Sequence, residues 1–553
     1  MERISQIFAF DAAKPLIFTQ LDFWLFFLVV MVLLSFLYKN LLMRSIFMTA
    51  VSLFFYFKTS GLFVLLLGAS VIVNYAFGAW VGKAKTDRAK KSVIALSVTL
   101  NLVVLGFFKY AYFFTDSFNA LFQTKFTTLN YFAYWGNSFF GEGHFVEKII
   151  LPIGISFFTF QSISYVVDIY RQEIKPVRNF FDYSFFVTFF PQLLMGPIVK
   201  AREFIPQIYQ PYALDKDDFS GAIVQIVKGL IKKLILADYI SVHFVDKVLD
   251  SADAYPGFVG MIAMWGYSLQ IYGDFSGYTD IAIGLSRLMG FKLRENFNSP
   301  YKAVSVADFW RRWHKSLGTW LRDYLYIPLG GNKTGGVGTY VSISIIFVFL
   351  FFITQWYALI FVYTGLLAVF LIIRLIFPGF NKYINRDLNM LITMIVGGLW
   401  HGASENFVIW SSLNGGALIF YNYWKKISPY EKSNFWLIHA WKIFITFNFI
   451  TFTRIWFRLD APGEPMAFLD HVVNDFQFSG EAFGKLLYTF MPVMIIILVG
   501  FIIHWLPDSW KATYANLFRT WPMPVQMAAV AVIVFLVYQA VSGESPPFVY
   551  WKF

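Results

Sequence analysis

The chain has 553 residues, of which 58% are hydrophobic, 21% aromatic and only 14% charged. A soluble domain has about a quarter of its residues charged, so a soluble enzyme is excluded, and continuous apolar runs of about 18 to 22 residues read as membrane-spanning helices rather than barrel strands. The net charge of +12 is a topology signal, because Lys and Arg gather in cytoplasmic loops, and no nucleic-acid partner is read from it.

Residues 1–20 lack the basic-then-apolar order of a cleavable leader. The first span is 21–38, followed by Lys39 and Arg44 as a basic loop. Runs 46–57 and 62–80 form a short pair turning between Lys58 and Gly61. Segment 83–91 holds five Lys/Arg and one Asp and is expected on the cytoplasmic side. Run 92–114 leads out to a polar, weakly charged segment at 115–147. Run 149–170 returns to Arg171, Lys175 and Arg178. These loops agree in placing the N-terminus outside. Further apolar runs lie at 180–199, 219–240, 257–290, 340–353, 356–377, 388–400, 406–424, 437–458, 488–505 and 525–542. The expected class is an all-α polytopic membrane protein of about 11 to 13 spans. With no repeat and no Gly/Ser- or Pro-rich linker, 1–553 is read as one membrane domain. Its parts are N-terminal helices (1–148), a core (149–460) and C-terminal helices (461–553). Membrane lipid is the partner that the composition demands.

Segment 292–333 breaks this pattern, with eight Lys/Arg against three acids. Phe297, Phe309, Trp310 and Trp313 anchor it. Ser305 to Asp308 reads as a helix start of the capping type. At 100° per residue, Phe309, Trp313, Leu317, Trp320 and Tyr324 share one arc, flanked by Trp310 and Leu321, while Arg311, Arg312, Lys315 and Arg322 lie opposite. One amphipathic helix at the membrane surface, or re-entering protein-lined space, is predicted. His314 falls on the edge of its apolar arc, as a wet-boundary residue or a group aimed at an interior site. The turn-rich exit from Ile327 to Lys333 is neither a phosphate-binding loop nor a dinucleotide fingerprint.

Trp400-His401-Gly402 closes the run 388–400. The chain has only seven histidines. An ionisable group at membrane depth is costly to keep and so points to function, and imidazole moves protons near neutral pH. His144, His243, His439, His471 and His504 have no motif context and read as loop, interfacial or packing residues. Asp274 and Asp280 read as structural acids that bond re-entrant backbone or pair with an arginine. Gln192, with Pro191 and Pro197, shapes a broken helix. Arg454 and Arg458 pair internally or reach the interface. No His/Cys/Asp cluster has metal-ligand spacing, so no metal site is expected. With no cysteine in the chain, an acyl group cannot be held on a protein thiol.

Four ordered blocks carry a resemblance. They are FFPQLLMGPI (Phe189 to Ile198), DFSGYTD (Asp274 to Asp280), DFWRRWHKSL with WLRDYLYIPLGGN (Asp308 to Asn332), and GGLWHGAS (Gly397 to Ser404). Together they resemble the membrane-bound O-acyltransferase family. The ending PFVYWKF (Pro547 to Phe553) is similar to that of its bacterial alginate O-acetyltransferase branch. The resemblance implies re-entrant helices forming a tunnel through a cytoplasmic (inner) membrane protein. It implies transfer of an acyl group from a cytoplasmic thioester to a hydroxyl, with His401 catalytic and His314 the second polar group. In that branch an acetyl group passes to an extracytoplasmic polysaccharide, often through a partner with a serine-hydrolase-like domain. The chain departs from the pattern at Glu405, where many relatives have an aromatic residue, and at Asn414, where many have histidine.

A thioester is already activated, so transfer needs a base, oxyanion stabilisation and exclusion of water. His401 would take the acceptor proton, and His314 would orient a substrate or donate to the oxyanion. Gly402 would admit substrate closely. Arg311, Arg312, Lys315 and Arg322 would bind donor phosphates of coenzyme A or of a carrier-protein phosphopantetheine; no tightly bound cofactor is expected. Trp310, Asp323, Tyr324, Trp400 and Asn414 are further substrate-site candidates. Gln192, Asp274, Ser276, Tyr278, Asp280 and Asp308 are structural or pocket-lining ones. Two other readings are a teichoic acid D-alanyl transferase and a non-enzymatic subunit of a glycan exporter.

Overall fold

A computed structural model of the chain describes residues 9–11, 14–141, 146, 148–333, 335–377, 379, 381–402 and 404–540. The matched ending 547–553, Ala403 of the GGLWHGAS block, and His144 lie outside these residues. All regular elements among the described residues are helices, eleven of them at least 17 residues long. Three of these, Leu41–Ser60, Phe63–Lys83 and Asp87–Phe122, are also apolar enough to cross a bilayer without a break. The 488–505 run belongs to a bent pair: Gly480–Thr489 and Met491–Trp505 meet at 93°, with Pro492 in the first turn of the second helix, where a proline needs no N–H.

Two boundaries differ from the sequence reading in ways that matter. The second helix starts at Leu41, because the Asn40 side chain accepts from Met43 N at 3.1 Å. Arg44 is therefore not a loop residue. It is buried and donates to the carbonyls of Ile208 and Gln210. The 92–114 run lies within one helix, Asp87–Phe122, of 36 residues. At 1.5 Å per residue this is roughly 54 Å, well beyond a bilayer core of about 30 Å.

Ile155–Tyr170 runs through the centre, with 14 of its 16 residues buried. It packs on Phe63–Lys83 and Asp87–Phe122. A second scaffold pairs Gly257–Leu288 with Lys216–Ile231, which continues through π-helical turns at Lys232–Tyr239 and Ser241–Val245. The backbones touch: a β-carbon on Gly229 would lie 2.6 Å from Gly277 O. Small residues permit such an approach between membrane helices. The acids of the DFSGYTD block are paired here, with lysines rather than an arginine. Lys233 Nζ lies 2.7 Å from both Asp274 and Asp238, and Lys232 Nζ 2.7 Å from Asp280.

The single amphipathic helix predicted around His314 is broken at that residue. Val306–Arg312 and Lys315–Leu321 are separate α-helices, followed by a π-helical turn at Arg322–Tyr326. Ser305 caps the first as expected, accepting from Asp308 N at 3.2 Å. His314 caps the second from a left-handed conformation, φ +45°. Tertiary bonds from Asn298 N to Arg312 O and from Lys315 N to Asn296 O, both 2.9 Å, take over the backbone groups freed by the break.

Candidate active site

His401 is the last residue of the Asn381–His401 helix and is 4% exposed. The final carbonyls of a helix lack intrahelical donors. Here Tyr110 OH donates to Leu399 O and Lys109 Nζ donates to Trp400 O, both from the Asp87–Phe122 helix. The His401 ring packs edge-on to Trp410 (centroids 5.4 Å apart) and Phe457 (5.2 Å). The chain then turns at Gly402. A β-carbon there would lie 2.4 Å from the Phe407 ring. The space beside Gly402 is thus filled by Phe407, not left open for substrate as the sequence reading supposed.

His314 is 2% exposed. Its Nδ1 lies 3.2 Å from Asn296 Oδ1, which also accepts from Ser316 N at 3.0 Å and Ser316 Oγ at 2.9 Å. The same Nδ1 faces Leu317 N at 3.4 Å, the capping bond, so the tautomer follows from which of these two bonds is made, and the other end of the ring is Nε2. That buried nitrogen has no partner among the described residues. The ring stands edge-on to Phe275 at 4.6 Å.

Trp400 joins the two histidines. Its indole lies 4.8 Å from the His401 ring and 5.9 Å from the His314 ring. Trp400 Nε1, also buried, has no acceptor among the described residues. A cavity of about 40 Å³ opens at this point, lined by Lys109, Leu151 to Phe157, Leu194, Trp400 and His401, room for about three waters. A smaller cavity is lined by Trp310, Trp313, Trp410, Asn414 and Arg454, among others. Asn414 donates to Trp410 O at 2.8 Å and Thr453 Oγ1 at 3.2 Å. Its Oδ1 and Trp310 Nε1 are buried without partners among the described residues.

The cationic residues lie farther out, each beside a carboxylate. Arg312 Nε is 2.9 Å from Asp308, Arg311 3.5 Å from the same acid, and Lys315 3.9 Å from Glu295. Arg311 and Arg322 are largely exposed, with side chains 74% and 60% accessible. Asp323 and Tyr324, expected at a substrate site, are instead tied into the scaffold. Asp323 accepts from Lys200 at 2.7 Å, Arg202 at 2.5 Å and Arg322 at 2.8 Å. Burial pushes its carboxyl up, but hydrogen bonds from Arg322 and Lys200 outweigh that and hold it down at about 2. Tyr324 donates to Asp168 at 2.6 Å. Gln192 Nε2 binds Phe186 O at 2.7 Å, inside the broken segment. Tyr278 stacks on Phe18 at 4.5 Å, Ser276 is buried, and neither lines either cavity.

Sequence reasoning did not single out Lys109, Tyr110, Asn296 or Phe407. Only Lys109 carried a signal, as the one charged residue in 92–114.

The fold and site define a polytopic helical membrane protein with two buried imidazoles sharing one indole at a helix end. The family model described as membrane-bound O-acyltransferase matches residues 92–383, over half of the chain. A probable alginate O-acetylase AlgI of Azotobacter vinelandii is 36% identical over 381 residues, covering 68% of this chain and 62% of that protein. The peptidoglycan O-acetyltransferase of Helicobacter pylori is 33% identical over 449 residues, 76% of this chain and 72% of that protein. The teichoic acid D-alanyltransferase of Bacillus subtilis is 26% identical over 317 residues, 56% and 69%. The chain belongs to the membrane-bound O-acyltransferase family. It spans between 56% and 64% of the length of the first three alginate O-acetylases it matches.

Proposed function

We propose that the protein is a membrane O-acetyltransferase that moves an acetyl group from a cytoplasmic thioester toward hydroxyls of an extracytoplasmic polysaccharide. The observation that carries this reading is the pairing of His401 and His314 on Trp400, beside a cavity that His401 itself lines. His401 accepts the hydroxyl proton as the acceptor oxygen attacks the thioester carbonyl carbon. The tetrahedral intermediate then collapses, the C–S bond breaks, and the proton passes to the thiolate. The products are an ester and a thiol, and no nucleotide is spent. His314, held at Nδ1 by Asn296, turns its Nε2 to position the incoming hydroxyl or the thioester carbonyl. The aromatic wall of Phe407, Trp410 and Phe457 around His401 excludes water that would hydrolyse the donor.

The exposed Arg311 and Arg322, with Arg312 and Lys315, give the donor phosphates of coenzyme A or a carrier protein a cationic approach. In this reading the N-terminus is periplasmic, the protein lies in the bacterial inner membrane, and a serine-hydrolase-like partner receives the acetyl group. Similarity to teichoic acid D-alanyltransferases at 26% identity supports D-alanyl as the second choice of acyl group. Mass spectrometry of surface glycans decides between them. Cells with the wild-type protein should carry O-acetyl esters that His401→Ala cells lack. D-alanyl esters that vanish in the variant would assign the second acyl group, and ester content unchanged by the variant would overturn the enzymatic reading.

A further inference from the structure

Lys109 stands out because its charge has no evident structural use. It is the one charged residue in the run 92–114. Burying an ammonium at such a position is costly and is tolerated where it is needed. Among the described residues no carboxylate pairs with it, and its hydrogen bond goes to a neutral group, Trp400 O. Its neighbour Tyr110 serves the adjacent carbonyl, Leu399 O, with an uncharged hydroxyl. Satisfying a helix-end carbonyl therefore does not require a cation. An ammonium has three N–H donors, and the bond to Trp400 O uses one. The Nζ also lies 5.8 Å from the centre of the Trp400 ring. Lys109, Trp400 and His401 line the same cavity.

We propose that Lys109 supplies the positive charge of the oxyanion site, with the Trp400 indole N–H as the second donor. The proposal rests on the acyl-transfer reading given above. When the acceptor oxygen bonds to the thioester carbon, the carbonyl π pair moves onto oxygen. The resulting oxyanion is met by a fixed cation and by Trp400 Nε1–H, a buried donor without an acceptor among the described residues. The C=O bond then re-forms, the thiolate leaves, and the proton held by His401 goes to sulphur. In this proposal Lys109 acts in its ammonium form and exchanges no proton with the substrates. The hydrogen bond to Trp400 O fixes its position relative to the base, because Trp400 and His401 are adjacent in the chain. Donors fixed in advance at a developing oxyanion are among the largest contributors to acyl transfer.

Three variants of the full-length protein separate charge from clamp: Lys109→Gln, which keeps an N–H donor for Trp400 O; Lys109→Met, which keeps only the shape; and Lys109→Arg, which keeps charge and donor. Turnover of acetyl-CoA, and of an acetylated carrier protein, is measured in detergent with a hydroxyl acceptor present, and thermal unfolding is followed in parallel. Gln and Met should each lower kcat by about 10²- to 10³-fold, with KM for the thioester within about threefold and little change in unfolding midpoint. Arg should stay within about tenfold of wild type. Wild-type kcat in Lys109→Gln would overturn the proposal, because the hydrogen bond alone would then suffice. A loss of activity in Gln and Met matched by a large fall in unfolding midpoint would also overturn it, in favour of a structural clamp. His401→Ala serves as the reference. If it is inactive while Lys109→Gln is active, only this inference fails. If His401→Ala is active, or wild type turns over neither donor, the acyl-transfer reading itself fails.

Discussion

At the residue scale, His401 is held from three sides: by its helix, by the Lys109 and Tyr110 bonds to the carbonyls of Trp400 and Leu399, and by an aromatic cage. Gly402 locks the exit, since Phe407 occupies the place of its missing side chain and itself packs on Phe457 at 5.4 Å. Gly402→Ala should cost about 1–3 kcal/mol of stability by overpacking and slow turnover by shifting the His401 ring. Thermal unfolding and the acyl-transfer rate check both; wild-type values for the two would mean that Phe407 yields freely. His401 was legible because an ionisable group closing an apolar run is rare. Asn296, 18 positions before His314, was not, since only tertiary structure brings its amide to the ring. Lys109 was hidden by the strength of the span that surrounds it. The sequence points to Gly402 as room for substrate, whereas the neighbour that requires a residue without a side chain there is Phe407.

At the element scale, two polar clusters fix the helices that carry the site. On the long helix pair, Lys233 sits between Asp274 and Asp238. Removing one side of a buried pair leaves an uncompensated charge, worth about 3–5 kcal/mol. Asp274→Ala should therefore lower yield and unfolding midpoint sharply, whereas a variant as stable as wild type would contradict the pairing role. Around Asp323, Lys200, Arg202 and Arg322 join the Ala201–Ile208 helix to the π-helical turn that follows Lys315–Leu321. The Asp323 carboxyl is depressed from 3.8 to about 2 in the fold. A depressed carboxyl contributes stability fully above its unfolded value and loses it as pH falls through the folded one. Stability scans should show a wild-type loss between about pH 4 and pH 2 that is reduced in Asp323→Asn; identical acid profiles would remove Asp323 from the account. The break at His314 was not readable in advance. The apolar spacing Phe309, Trp313, Leu317, Trp320 keeps helical phase across it, and only the left-handed φ of His314 reveals the discontinuity.

At the scale of the whole molecule, the class was plain from composition, and most expected runs coincide with helices, because continuous hydrophobicity leaves the backbone no alternative in a bilayer. Their lengths and bends were less legible. The 92–114 run gave no sign that its helix reaches from Asp87 to Phe122, nor that this helix brings Lys109 and Tyr110 to the far-distant Trp400 and Leu399. That contact ties the N-terminal helices directly to the segment that carries His401. The central claim is that His401 is the base of an acyl transfer. It is tested most directly by following release of free thiol from acetyl-CoA or an acetylated carrier protein, in the presence of a hydroxyl acceptor, by purified wild type and His401→Ala. The account expects wild-type turnover and a loss of at least about 10²-fold in the variant, with its unfolding midpoint little changed. A His401→Ala protein that transfers acetyl at the wild-type rate would contradict it.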